Sequence, residues 1–205
     1  MAKPLPTTSY TGDNKNFMVG AGAVVYGFKY DKAKNTYDYE GSFGATSGGT
    51  SINLSTSLYQ FEIDGLLTAP VGADMIEEAE GTMELNLMEA TYENLRRALI
   101  AEERTADGVS YLKDGQKYIR PVGRIQEQHY IEGLAHITPL SDGSMLVVRF
   151  DYAIATEGLE FSPQQKETNT FTVTLAARTS PNNLLDASLP VSVFKISKED
   201  QVAEV

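Results

Sequence analysis

Glu77, Glu78, Glu80 and Glu84 fall within one short stretch of the chain, and carboxylates at that density could hold a divalent cation or divide the acid and base roles of a hydrolytic site. Their spacing argues otherwise. Between Glu78 and Met88 the odd positions Ala79, Met83, Leu85 and Leu87 alternate with Glu78, Glu80, Thr82, Glu84 and Asn86. That period-two pattern makes the carboxylates the wet stripe of an amphipathic strand. His129 and His136 lie seven residues apart and would leave one strand on opposite faces, so they cannot jointly hold a metal. Gly44 and Gly49, followed by Thr50 and Ser51, imitate a phosphate-binding loop. The Lys such a loop needs is missing, and a strand follows where a helix N-terminus would be required. Gly20, Gly22 and Gly27 miss the dinucleotide spacing and read as close-packing positions in a strand. Asn53-Leu54-Ser55 is a glycosylation triplet that would matter only in a secreted chain. No Ser, His and Asp constellation stands out, so the sequence points to a protein without a catalytic site, a metal or a cofactor.

Composition narrows the classes further. The chain has 205 residues, enough for one domain, with 17 Lys plus Arg, 28 Asp plus Glu and a net charge of −11. Such a surface disfavours nucleic-acid binding. With no Cys, disulfides, thiolate nucleophiles and Cys-ligated metals are excluded. Residues 1–10 carry two Pro and no apolar h-region, and no stretch approaches the roughly 18 apolar residues of a spanning helix. A soluble chain with no secretory signal and no membrane partner is expected.

The elements that must position these residues are mainly strands. Besides the stripe strand, Met145 to Thr156 places Leu146, Val148, Phe150, Tyr152 and Ile154 on one side, and Thr170 to Arg178 buries Phe171, Val173 and Leu175. Ser51 to Ile63 begins with Ile52, Leu54 and Leu58 on one face and changes to Tyr59, Phe61 and Ile63, which predicts a bulge or a change of neighbouring layer. Weaker strands are Phe17 to Phe28, Lys117 to Ile125, His129 to Thr138 and Val191 to Ile196. Asp107-Gly108, Asp114-Gly115 and Asp142-Gly143 supply turns. One helix is expected from Thr91 to Ala101, with Thr91 as N-cap and Tyr92, Leu95 and Leu99 on its buried face. Residues 29–50, with Lys29, Lys32 and Lys34 and then a run containing Gly44, Gly48 and Gly49, read as a long front loop. Residues 1–16 and 198–205 read as terminal arms.

The order of these pieces resembles that of the major tail protein, or tail tube protein, of long non-contractile tailed bacteriophages. A first strand FMVGAGAVVYGF, a GATSGGTSINLS segment, an E-x-D-G turn at Glu62 to Gly65 and an acidic strand running into T-x-E-N-L before a helix follow one another, covering roughly Val19 to Leu99. The rest of the chain shares only the β-rich outline.

The resemblance implies a β-sandwich or barrel of the tail-tube type with one flanking helix, hexameric rings that stack into a tube, and a lumen that conducts DNA. It also implies that the front loop and terminal arms join rings, with Lys29, Lys32, Lys34, Gly44, Gly48 and Gly49 in the inter-ring loop. The implied partners are further copies of the chain, a tape measure protein and tail terminator or completion proteins. The implied setting is the virion tail, with assembly in host cytoplasm. An acidic bore repels phosphate where a basic one would brake it, so Glu78, Glu80 and Glu84 are expected on that wall; the open alternative places them on the outer surface. A contractile-tail or type VI secretion-like tube, and a carbohydrate-binding β-sandwich, remain alternatives, the last disfavoured by the absence of Trp.

Overall fold

The computed structural model describes residues 17–61, 64, 68, 70–161, 169–180, 190–198 and 200. The expected N-terminal arm, all of the C-terminal tail but residues 198 and 200, and most of the Glu62 to Gly65 turn lie outside the described residues. The fold is mainly β. In chain order it comprises β1 (Ala23–Tyr26), β2 (Lys29–Asp31), β3 (Thr36–Asp38), β4 (Gly41–Ser42), β5 (Thr46–Gln60), β6 (Asp74–Leu87) and helix α1 (Tyr92–Ala98). There follow β7 (Ala101–Thr105), β8 (Lys117–Pro121), a 3-10 turn (Glu127–His129), β9 (Ile131–Pro139), β10 (Met145–Ala155), β11 (Glu160–Phe161), β12 (Phe171–Arg178) and β13 (Val191–Ile196).

Nine strands form one antiparallel sheet in the order β4-β1-β9-β10-β12-β6-β5, with β11 on β12 and β13 on β10. β10 is the branch point. Its Met145 to Phe150 half pairs with β13 and its Tyr152 to Ala155 half with β12, while β9 runs along its other edge. The middle of the sheet is therefore buried on both faces. Adjacent residues Val24 and Val25, Leu134 and Ala135, and Val147 and Val148 point into different cores. The larger core joins Met83, Leu85 and Leu87 of β6 to Val173 and Leu175 of β12, Phe150 of β10, Leu134 of β9 and Ala98 of α1. On the opposite face Val25, Phe28, Ala135, Val147 and Ile196 form a smaller core, covered by Tyr37 and Phe194.

This second core corrects the reading of residues 29–50 as a loop. Lys29–Asp31 and Thr36–Asp38 are the two strands of a hairpin, and Gly41–Ser42 and Thr46 onward belong to the main sheet. The hairpin turn is held by Asp31 Oδ1, which accepts the Ala33 N–H at 2.9 Å, and by Asn35 at a φ of 52°. Tyr37 then stacks on Phe28, ring centroids 5.5 Å apart, so the aromatic residues of this segment cover a core that its polar composition conceals.

Helix α1 is shorter than expected. Thr91 caps it by accepting the Asn94 N–H at 3.2 Å, but it ends at Ala98, with Leu99 as C-cap and Ile100 at a φ of 48° turning the chain into β7. Its fully buried residues are Asn94 and Ala98, whereas Leu95 and Leu99 are half-buried. Asn94 Nδ2 donates to the carbonyls of Phe43 and Glu89, both at 2.9 Å, tying the helix to the strand junction beneath it.

The period along β10 is broken at Asp151. The ladder with β9 skips Asp151 and Gly133; Gly133 has a φ of 58° and its carbonyl accepts the Phe28 N–H at 3.0 Å. Val148 and Phe150 therefore face the larger core before the break, and Ala153 and Ala155 after it, instead of the single even-numbered face predicted. A Cβ at Gly133 would lie 2.9 Å from both the N and O of Phe28, which are backbone atoms that cannot rotate away. Gly133→Ala should cost at least about 2 kcal/mol in urea unfolding. A loss under half of that would mean that the break is adaptable.

Candidate functional site

Beyond Gly81 the sheet thins to two strands. β12 pairs with β6 only from Leu87 to Thr82, so among the described residues Asp74 to Glu80 of β6 are flanked by β5 alone. The result is a two-stranded ribbon of about seven residues per strand, roughly 23 Å long. β5 is also the terminal strand of the sheet, and its outer edge has no partner strand among the described residues. Isolated ribbons are marginal in water and free edges promote association.

Register assigns the ribbon's two faces. Ser51, Asn53, Ser55 and Ser57 stand opposite Glu84, Thr82, Glu80 and Glu78, and β12 continues this face with Thr174 opposite Glu84 and Thr172 opposite Asn86. The three glutamates thus share one hydroxyl- and amide-rich wall running about 20 Å from Glu78 to Glu84. Each is exposed, and none forms an ion pair with a described residue. Thr172 Oγ1 donates to Asn86 Oδ1 at 2.8 Å and Thr174 Oγ1 to Glu157 Oε2 at 2.8 Å, so the wall gains a further carboxylate from the chain after β10. No Lys, Arg or His lies anywhere between Asn35 and Leu95, while eleven Asp and Glu do. Asp38, Glu40 and Glu93 among them are paired with Lys34, Lys29 and the Arg96–Arg97 pair, so the unpaired charge of this segment includes the carboxylates of the wall.

The other face extends the larger core into solvent. Ile52, Leu54, Thr56 and Leu58 on β5 are opposite Met83, Gly81, Ala79 and Ile76 on β6. Met83 is fully buried, but Leu54, Leu58 and Ile76 are 42%, 55% and 64% exposed. The expected change of face is present as a register shift between Ser57 and Leu58, with the extra residue, Glu77, on β6 rather than β5. It brings Tyr59 opposite Met75 at the end of the ribbon, where Tyr59 also meets Phe61 edge-on with centroids 5.4 Å apart. The sequence pattern puts Leu54 and Leu58 on one face with Ile52 and does not single out Met75 or Ile76. The signal was the pair Met75-Ile76 set between Asp74 and Glu77, apolar residues in a stretch too acidic to be interior.

The other expected site residues fall apart in space. Lys29 and Lys34 lie on the β2–β3 hairpin and already face carboxylates of the chain: Glu40 at 3.8 Å from Lys29, and Asp31 and Asp38 at 3.3 and 3.4 Å from Lys34. Lys32 is exposed at the hairpin turn. Gly44 precedes β5, and Gly48 and Gly49, with φ of 80° and 85°, form the irregularity in β5 between Thr46 and Thr50. Leu95 and Leu99 sit at the helix, half-buried.

Both histidines are buried, and each has a defined local partner. His136 Nε2 donates to the Ala21 carbonyl at 3.1 Å, so its Nδ1 accepts from the Thr138 hydroxyl at 3.0 Å. Burial lowers its pKa below 6.5, with the Ala21 bond opposing in part. A group whose folded pKa is depressed contributes stability that is full above its unfolded pKa and is lost as pH falls through the folded value. The urea midpoint should therefore drop on acidification from about pH 7.5 to 5.5, and the drop should be smaller in His136→Asn. Equal slopes for the two proteins would remove His136 as its source.

No known family profile matches the chain, and no curated protein sequence does. Among solved structures, the chain is similar to one in a structure described as "Virion of native gene transfer agent (GTA) particle". Identity is 9%, the TM-score is 0.39, and the match covers 85% of this chain and 95% of that one.

Proposed function

We propose that the chain is a structural subunit of a bacteriophage tail tube, assembled as stacked hexameric rings around a negatively charged bore through which DNA passes without being held. The observation that carries this reading is the β5–β6 ribbon: an open sheet edge, an acidic polar wall on one face and exposed Leu54, Leu58 and Ile76 on the other. A second copy laid against the apolar face and the open edge would complete the sheet, and repetition about an axis would close it. The carboxylates of Glu78, Glu80 and Glu84 would then form rings of charge that repel phosphate. No chemical step is required of the protein. The resemblance over Val19 to Leu99 supports the same reading, and extends it to a tape measure protein within the bore and to terminator or completion proteins at the tube's ends. A contractile-type tube would use the same architecture.

Electron microscopy of purified protein, with sedimentation across concentration and salt, tests this reading. Rings or tubes are expected, favoured at high salt where acidic repulsion is screened. A monodisperse monomer under all conditions would overturn it and favour the carbohydrate-binding alternative.

A further inference from the structure

A second cluster lies on the far side of α1, where the helix meets the 3-10 turn. Three buried N–H donors of residues lining one cleft there have no acceptor among the described residues: Arg96 Nε, Arg97 Nη1 and His129 Nε2. The His129 side chain is 2% exposed. Its Nδ1 accepts the Gln126 N–H at 2.8 Å, which fixes the proton of the neutral ring on Nε2. The nearest carboxylate to Nε2, Glu102 Oε1, is 3.8 Å away, beyond hydrogen-bond reach. Both arginines are positioned from behind: Glu93 Oε2 lies 3.0 Å from Arg96 Nη2 and 3.4 Å from Arg97 Nη2, and the Arg97 guanidinium stands 3.7 Å over the Tyr26 ring. The cleft they line encloses about 170 Å³, room for one side-chain head group. Glu40 and Glu132 also line it, the former 3.8 Å from Lys29 Nζ.

We infer that this cleft is a carboxylate-binding site, and that its occupant is an acidic side chain of a second copy of this chain. Guanidinium N–H groups and an imidazole N–H lining one cleft match the two oxygens of a carboxylate, which only accept. Buried donors with no acceptor are costly, so the site gains most from an occupant that supplies acceptors alone. Charge complementarity selects the source. Arg96 and Arg97 are the only basic residues between Asn35 and Glu103, whereas exposed carboxylates outside the acidic wall with no ion pair among the described residues, such as Asp74, Glu77 and Asp107, are present on the same chain. The choice of a second copy rests on the self-assembly proposed above; the carboxylate chemistry does not.

The experiment has two arms. In dilute, unassembled protein, sodium acetate titrated against sodium chloride at equal ionic strength should shift the imidazole nitrogen signals of His129 saturably, and Arg96→Gln should abolish the shift. In concentrated protein, Arg96→Gln and His129→Asn should each weaken association at least about tenfold in sedimentation; Asn keeps an acceptor for the Gln126 N–H and lacks the Nε2 donor. Acetate at equal ionic strength should weaken wild-type association likewise. No acetate response would show that water alone satisfies the donors and would overturn the site. An acetate response with normal assembly of both variants would overturn the second copy as its source. A protein that never assembles would sink the tail-tube reading and the second-copy source together, while the acetate arm would still decide the chemistry of the cleft.

Discussion

Leu58→Asp combined with Ile76→Asp should abolish self-assembly and leave the folded monomer intact. The two side chains are directly opposite on the ribbon and are 55% and 64% exposed, so in the monomer a charge at either position stays solvated. Substitutions at such positions change stability by about 0.5 kcal/mol or less. In an assembly that covers the apolar face the same carboxylates would have to be desolvated without partners, which costs several kcal/mol each before any pKa adjustment. Two such groups per contact exceed what an ordinary interface can absorb, and repetition around a ring multiplies the loss. Thermal melts of the variant at low concentration should match the wild type, and sedimentation at high concentration should show monomer. Added charge alone must be separated from lost apolar contact, because the chain already carries −11. Leu58→Thr with Ile76→Thr supplies that control: it should weaken assembly to a lesser degree, and high salt should not restore the Asp variant. Normal rings from the Asp variant would mean that this face looks outward in the assembly and that the ribbon associates through its edge or its acidic wall.

How far the sequence discloses this surface depends on how local the cause is. The stripe of β6 and the buried positions Phe171, Val173 and Leu175 of β12 are legible because each obeys one period set by one dry face. Gly108, Gly115 and Gly143 all adopt positive φ, as their Asp-Gly turns require. What was hidden is decided by distant chain. Period two cannot show that β1, β9 and the first half of β10 are buried on both faces, since that depends on the β2–β3 hairpin and β13 arriving to cover the second one. Nor can it show that Leu54 and Leu58 are exposed. They continue the alternation of Ile52, but lie beyond the last β12–β6 pair at Thr82, where the ribbon leaves the body of the sheet. The carboxylate cleft was invisible for the same reason: its donors come from a helix and a 3-10 turn about thirty residues apart, and nothing near either in sequence marks them as a pair. His129 was read as a strand histidine, whereas it closes the turn before β9.

Replacing Glu78, Glu80 and Glu84 together by Lys should leave rings and tubes nearly intact yet slow the release of DNA through them. The stripe faces away from Met83, Leu85 and Leu87, so no core contact is lost, and its three carboxylates have no ion pairs with described residues to break. Each substitution adds two charges, taking the chain from −11 to −5. If this wall lines the bore, every ring then presents ammonium groups to a polyanion carrying about one charge per 1.7 Å. Each phosphate contact releases counterions, so passage should become strongly salt-dependent, recovering at high salt as the contacts weaken. Glu→Gln at the same three positions separates repulsion from attraction, since a neutral polar wall neither repels nor holds phosphate and should give near-normal release. The effect belongs to the ring of charge and not to any one residue, so single Lys variants should be graded between wild type and triple. The measurement is the rate of DNA release from particles carrying the variant, after microscopy has established normal tail length. An unchanged rate in normal tails would put the stripe on the outer surface, or show that the charge of the wall does not govern passage.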